Sequence, residues 1–228
     1  MCDANYFAYG EKETGWLKKR DPVLGAVIDR IGPIRREVKP NLFGALVESI
    51  VGQQISSKAQ KTICARIRSL CPSMAPEQIA EMPPEELQSC GISFRKVLYI
   101  QEAAAAAQQG ELNLEELHAL PDEDICKRLS ALKGVGAWTA EMLMIFSMQR
   151  QDVLSKDDLA IIRGLRMLYR HRRITPELFA RYRRRYSPYA SVASFYLWAI
   201  AGGACPELVD PAPKKTAKGS ALGTRWGK

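Results

Sequence analysis

The sequence predicts an all-α fold, and three observations carry that prediction. Apolar residues recur at helical spacing, as at Leu42, Phe43, Leu46 and Ile50. Asp21-Pro22 and Thr175-Pro176-Glu177 each set a capping side chain before a proline suited to the first helical position. Convincing strand alternation is absent. At 228 residues, 46% of them hydrophobic, the chain is long enough to bury a core in one unit or in two small lobes.

Taken in order, the elements run as follows. A helix starts at Asp21-Pro22, and the Leu42 pattern marks another. The alanines from Ala103 to Ala107 continue a helix capped by Ser93 and ended by Gly110. Pro83-Pro84 and Leu120-Pro121 read as short loops. An amphipathic helix from Asp122 meets Gly134-Val135-Gly136, and a further helix runs from Ala137 to Met148. Leu159, Ile162, Leu165 and Leu168 then mark a helix that starts at the acidic pair Asp157-Asp158, and Thr175-Pro176 opens the next. The total expected is about ten helices. From Pro211 onward, Pro213, Lys214, Lys215, Lys218, Gly219, Ser220, Gly223 and Gly227 mark a basic, flexible tail.

The 33 Lys and Arg against 25 Asp and Glu leave a formal charge of +8, which favours an anionic partner, nucleic acid above all. No signal peptide is expected, because the first twenty residues carry charges and no apolar run. Nothing approaches the ~18 apolar residues of a membrane span. Six cysteines without a CxxC pair suggest free thiols in a reducing cytoplasm, beside the nucleoid if the source is prokaryotic. His118 and His171 lie too far apart in sequence to suggest zinc. The spacing of Cys64 and Cys71 suggests one buried helix face. Arg181, Arg183, Arg184 and Arg185 suit either a solvated face or a binding patch.

Leu129-Ser-Ala-Leu-Lys-Gly-Val-Gly-Ala-Trp-Thr-Ala140 is the most informative stretch. Two glycines around one apolar residue permit a very tight hairpin between helices, with Val135 plugged inward. The N–H groups of the hairpin and of the following first turn then form a phosphate site. Asp157 and Asp158 follow at a helix start. Capping explains one acid there. A second acid close to a phosphate-binding hairpin would repel DNA, which suggests chemistry; both readings stand on the residues alone.

Leu132-Lys-Gly-Val-Gly-Ala-Trp-Thr-Ala-Glu141 followed by Asp157-Asp158-Leu159 resembles the helix-hairpin-helix DNA glycosylase superfamily. More narrowly, the chain is similar to the 3-methyladenine DNA glycosylase II family, in the compact type without an N-terminal α/β domain. Leu46-Val-Glu-Ser-Ile-Val-Gly-Gln-Gln-Ile-Ser56, Gly91-Ile-Ser-Phe-Arg-Lys96 and the stretch from Pro188-Tyr to Trp198 match the family in the same order.

The resemblance implies two helical lobes with a DNA- and base-binding cleft between them. One lobe spans 37–150 and the other combines 1–36 with 151–205, leaving 206–228 as the tail. Asp158 falls on the catalytic aspartate and Asp157 on its acidic neighbour. Trp138, Trp198, Met142 and Leu159 fall on the base pocket. Gln53, Gln54, Lys133, Gly134, Val135, Gly136 and Thr139 fall on the DNA-binding surface, with Gln54 in the wedge position. The carbonyls of Ser130, Leu132 and Val135 match a structural Na+ or K+ site. No cofactor is required, and no iron–sulfur cluster is expected, since Cys205 stands alone near the C-terminus. Trp138 replaces the Schiff-base lysine of bifunctional relatives, which implies a monofunctional glycosylase for alkylated purines. Lys156 departs from the proline that many members carry before the acidic pair. The implied partner is double-stranded DNA with a damaged base, met by a monomer. Two alternatives remain at this point: a non-catalytic helix-hairpin-helix DNA-binding module, and a glycosylase or lyase for oxidised bases.

Overall fold

The computed structural model describes residues 6–212, so the tail positions from Pro213 onward lie outside the described residues. Among these residues there are thirteen helices and no strand, with one isolated antiparallel bridge between Tyr6 and Glu37. In chain order they are α1 (Glu11–Arg20), α2 (Pro22–Ile31), α3 (Leu42–Gly52), α4 (Ser57–Leu70), α5 (Pro76–Glu81), α6 (Pro84–Ser89) and α7 (Phe94–Gln108). Then follow α8 (Leu114–Leu117), α9 (Asp122–Ser130), α10 (Ala137–Phe146), α11 (Leu159–Tyr169), α12 (Pro176–Tyr186) and α13 (Ala190–Ala201).

The excess over the expected number comes from α5, α6 and α8, each too short to display a helical period. Pro84, expected in a loop, instead occupies the first turn of α6. The helix expected to run to Met148 stops at Phe146, where the N–H groups of Ser147 and Met148 both turn back to the Leu143 carbonyl. Capping is as the sequence indicates at Asp21, which accepts from Val23 and Leu24, and at Thr175, which accepts from Leu178. Ser93 stands at the start of α7, but its side chain makes no capping bond.

Extensive helix–helix packing falls into two sets. α1, α2, α11, α12 and α13 contact one another, and α3, α4, α5, α6, α7, α9 and α10 form the other set. The tightest pair is α11 with α13, which Gly164 makes feasible: a Cβ there would overlap the Leu197 carbonyl of α13. Tyr186, Tyr196 and Phe195 are wholly buried in this set. Each such side chain contributes about 1.5–3 kcal/mol through removal from water.

The link from α10 to α11 is fastened at several points. Asp152 accepts from Arg183 Nη1 at 2.7 Å, Ser187 Oγ at 2.6 Å and the Ala190 N–H at 3.3 Å. Ser191 Oγ accepts from the Val153 N–H at 3.0 Å and donates to the Arg150 carbonyl at 2.6 Å. The segment delivering Asp158 is therefore held by α12 and α13. Two of the four clustered arginines prove structural, Arg183 on Asp152 and Arg185 on Asp21.

Candidate active site

Asp158 is the N-cap of α11. Its Oδ1 accepts from the N–H groups of Ala160 and Ile161, both at 2.9 Å. Trp198 Nε1 donates to the same oxygen at 3.2 Å, and Trp138 Nε1 donates to Oδ2 at 3.0 Å. Four N–H donors thus face one carboxylate, an arrangement that fixes its orientation. The residue is only 7% exposed, yet Trp138 beside it is 46% exposed, so the carboxylate sits just under the surface. Asp157 is exposed. Capping and the candidate chemistry consequently fall on the same residue.

The indoles come from different helices. Trp138 lies in the first turn of α10, directly after the hairpin, and Trp198 lies near the end of α13. The Trp198 ring stacks on Phe146 at 5.7 Å between centroids, and the Arg36 guanidinium stands 6.0 Å from its centroid. Trp138 and Met142 line a hollow with Ser49, Gly52, Gln53 and Thr139. Trp198 and Leu159 line a separate groove with Ala160, Arg163 and Gly202. The four base-pocket candidates therefore do not share one enclosed cavity. Trp138 and Trp198 reach Asp158 from two different helices, and Leu159, next to it in sequence, is 85% exposed.

The hairpin has the expected form. Gly134 adopts φ +79°, Val135 is buried, and its N–H bonds to the Leu132 carbonyl at 3.1 Å. A side chain at Gly134 would overlap the Tyr99 ring. Gly136 is the N-cap of α10, and no side chain caps that helix. Its first-turn N–H groups are thus left for an outside acceptor. Lys133 is exposed and ion-paired with Glu102 at 2.8 Å.

Two DNA-binding candidates are placed differently from simple surface contacts. Gln53 donates from Nε2 to the Gly134 carbonyl at 2.6 Å, so its amide ties loop to hairpin. Thr139 is buried at 7% exposure. Gln54, by contrast, is exposed at φ +58°, in the left-handed region. Of the carbonyls matched to a monovalent cation, Leu132 accepts the Val135 N–H, whereas no backbone N–H among the described residues reaches Ser130 or Val135. Carbonyl oxygens without an N–H partner suit a hard cation in kind.

The sequence reading assigned no role to Lys96, Tyr99, Arg36 or Asp152. Asp152 and its partners lie more than thirty residues apart. Only the match of Gly91–Lys96 hinted at the first.

Residues 47–188 match the family model described as HhH-GPD superfamily base excision DNA repair protein. The chain belongs to this superfamily. Among HhH-GPD relatives, it is 34% identical over 180 residues to DNA-3-methyladenine glycosylase 1 of Schizosaccharomyces pombe, covering 77% of this chain and 79% of that one. Its fold is similar to the crystal structure of a DNA-3-methyladenine glycosidase from Bacillus halodurans, with TM-score 0.81, 36% identity, and coverage of 89% and 94%. It is also similar to the Schizosaccharomyces pombe 3-methyladenine DNA glycosylase in complex with abasic DNA, with TM-score 0.71, 30% identity, and coverage of 84% and 97%.

Proposed function

We propose that the chain is a monofunctional DNA glycosylase that hydrolyses the N-glycosidic bond of alkylated purines, of the 3-methyladenine and 7-methylguanine type, in duplex DNA. One observation carries the reading: a carboxylate held by four N–H donors, two of them from indoles, one of which lies in the first turn after an uncapped glycine hairpin. The names of the relatives support the same substrate class.

The two helix sets act as two lobes gripping the duplex. The N–H groups at Gly134, Gly136 and the start of α10 bind a phosphate, with Lys133 adding charge. Gln54 fills the gap left when the damaged nucleotide turns out of the stack, an extrusion that costs a few kcal/mol. A monovalent cation on the Ser130, Leu132 and Val135 carbonyls would add positive charge beside that phosphate. Trp138 and Trp198 offer aromatic faces to a cationic base, worth about 0.5–2 kcal/mol each.

As the bond from C1′ to the base nitrogen breaks, its electrons leave with the base, and the sugar takes on oxocarbenium character. Asp158 stabilises that charge, and water then adds at C1′ as the carboxylate receives its proton. A base already made cationic by alkylation needs little acid assistance to depart. With tryptophan at 138, no imine forms at that position, so the abasic strand is left uncut. The protein acts as a monomer.

Incubation with methylated duplex DNA tests the proposal. The expected result is release of free 3-methyladenine and 7-methylguanine, an intact abasic strand, and no borohydride-trapped adduct. A trapped adduct would favour a lyase, and tight DNA binding without base release would favour a recognition module.

A further inference from the structure

α7 holds both of the loops that the proposed function sends towards DNA. Lys96 donates from Nζ to the Val51 carbonyl at 2.8 Å and to the Gln53 carbonyl at 2.7 Å. These oxygens belong to the end of α3, where a cation is favoured by the helix dipole and by unpaired carbonyls. One turn further along α7, Tyr99 packs its ring against Gly134, so closely that no side chain fits there. Gln53 closes the circuit, donating from its amide to the Gly134 carbonyl at 2.6 Å. Next in sequence, Gln54 is held exposed in the left-handed region, a conformation that persists only where its surroundings enforce it.

We propose that Lys96 is a positioning residue that, with Tyr99, locks the Gln53–Gln54 loop to the Gly134 hairpin, so that wedge and phosphate grip move as one clamp. The link joins segments 81 residues apart through one side-chain bond and one shared helix. Its consequence is mechanical: gripping the phosphate fixes how deeply Gln54 enters the stack. The inference rests on the glycosylase reading for its purpose, but the coupling itself is a property of the free protein.

Two measurements test it. The first follows hydrogen exchange at the two bonded amides of these loops, Gln53 N–H on the Ile50 carbonyl and Val135 N–H on the Leu132 carbonyl, in wild type, Lys96→Met and Lys96→Arg, without DNA. Lys96→Met is expected to speed exchange about ten-fold at both amides, leaving α11 and α13 unchanged, and Lys96→Arg to restore much of the protection. Faster exchange at Gln53 alone, or at neither amide, overturns the coupling.

The second measures single-turnover release of 7-methylguanine, paired with cytosine or set opposite an abasic analogue. Lys96→Met is expected to lose about ten-fold on the paired duplex and much less where the opposite base is missing, since extrusion there is easier. Equal loss on both duplexes overturns the positioning role. If wild type releases no base while both loops loosen together in Lys96→Met, the glycosylase reading fails and the mechanical link stands.

Discussion

At position 158, asparagine and alanine differ in ways that separate capping from chemistry. Asparagine keeps an acceptor for the Ala160 and Ile161 N–H groups; alanine leaves both without one. Asp158→Ala is therefore expected to lose about 1 kcal/mol of stability and Asp158→Asn a fraction of that. Both should slow base release by about 10²–10³-fold while DNA binding persists. Urea unfolding with single-turnover assays checks the pair, and near-normal rates in Asp158→Asn would remove the residue from the chemistry. Asp158 was visible in the sequence because an acid before an apolar helical run is a local pattern. Its two indole donors were not, because Trp138 and Trp198 lie 20 and 40 residues away and meet it only through packing. The same limit hid Lys96, whose carbonyl partners are 45 and 43 residues distant.

Among the elements, the hairpin was the most legible, since two glycines interrupt two strong helical periods. Gly134→Ala is expected to cost about 1–3 kcal/mol, because φ +79° and the Tyr99 ring both oppose a side chain. Weakened duplex binding should accompany the lower melting temperature; a variant that melts and binds as wild type would show that the hairpin yields easily. The contact of α11 with α13 was not legible, because nothing local marks Gly164 as a point of close approach. Gly164→Ala must push the Leu197 backbone away, shifting Trp198 relative to Asp158. A loss of base release larger than the loss of duplex affinity is expected, read from saturation kinetics and binding titrations. α5, α6 and α8 escaped notice because four to six residues cannot express an amphipathic period.

For the whole molecule, Asp21 ties together elements distant in sequence. It caps α2, accepts from Tyr169 of α11 at 2.7 Å and pairs with Arg185 of α12 at 2.8 Å, while only 1% exposed. Burial alone would raise its carboxyl, but bonds from Arg185, the Leu24 N–H and Tyr169 outweigh that and hold it below the ordinary value. The folded protein thus binds this proton less readily than the unfolded chain. Stability from the group is complete above the unfolded value, about 4, and drains as pH falls through the folded one. Asp21→Asn is expected to cost about 2–4 kcal/mol at neutral pH. The gap from wild type should close on acidification below about pH 4, followed by urea unfolding across a pH series; a constant gap would contradict the assignment.

Leu159, standing almost wholly in water beside Trp198, has a calorimetric consequence. Water around an uncovered isobutyl group raises heat capacity, and any surface that settles over the group releases that water. Association with a damaged duplex should therefore carry a more negative heat-capacity change for the natural chain than for Leu159→Ser. Titration calorimetry at several temperatures measures the difference, and equal slopes would mean that the leucine stays wet in the complex.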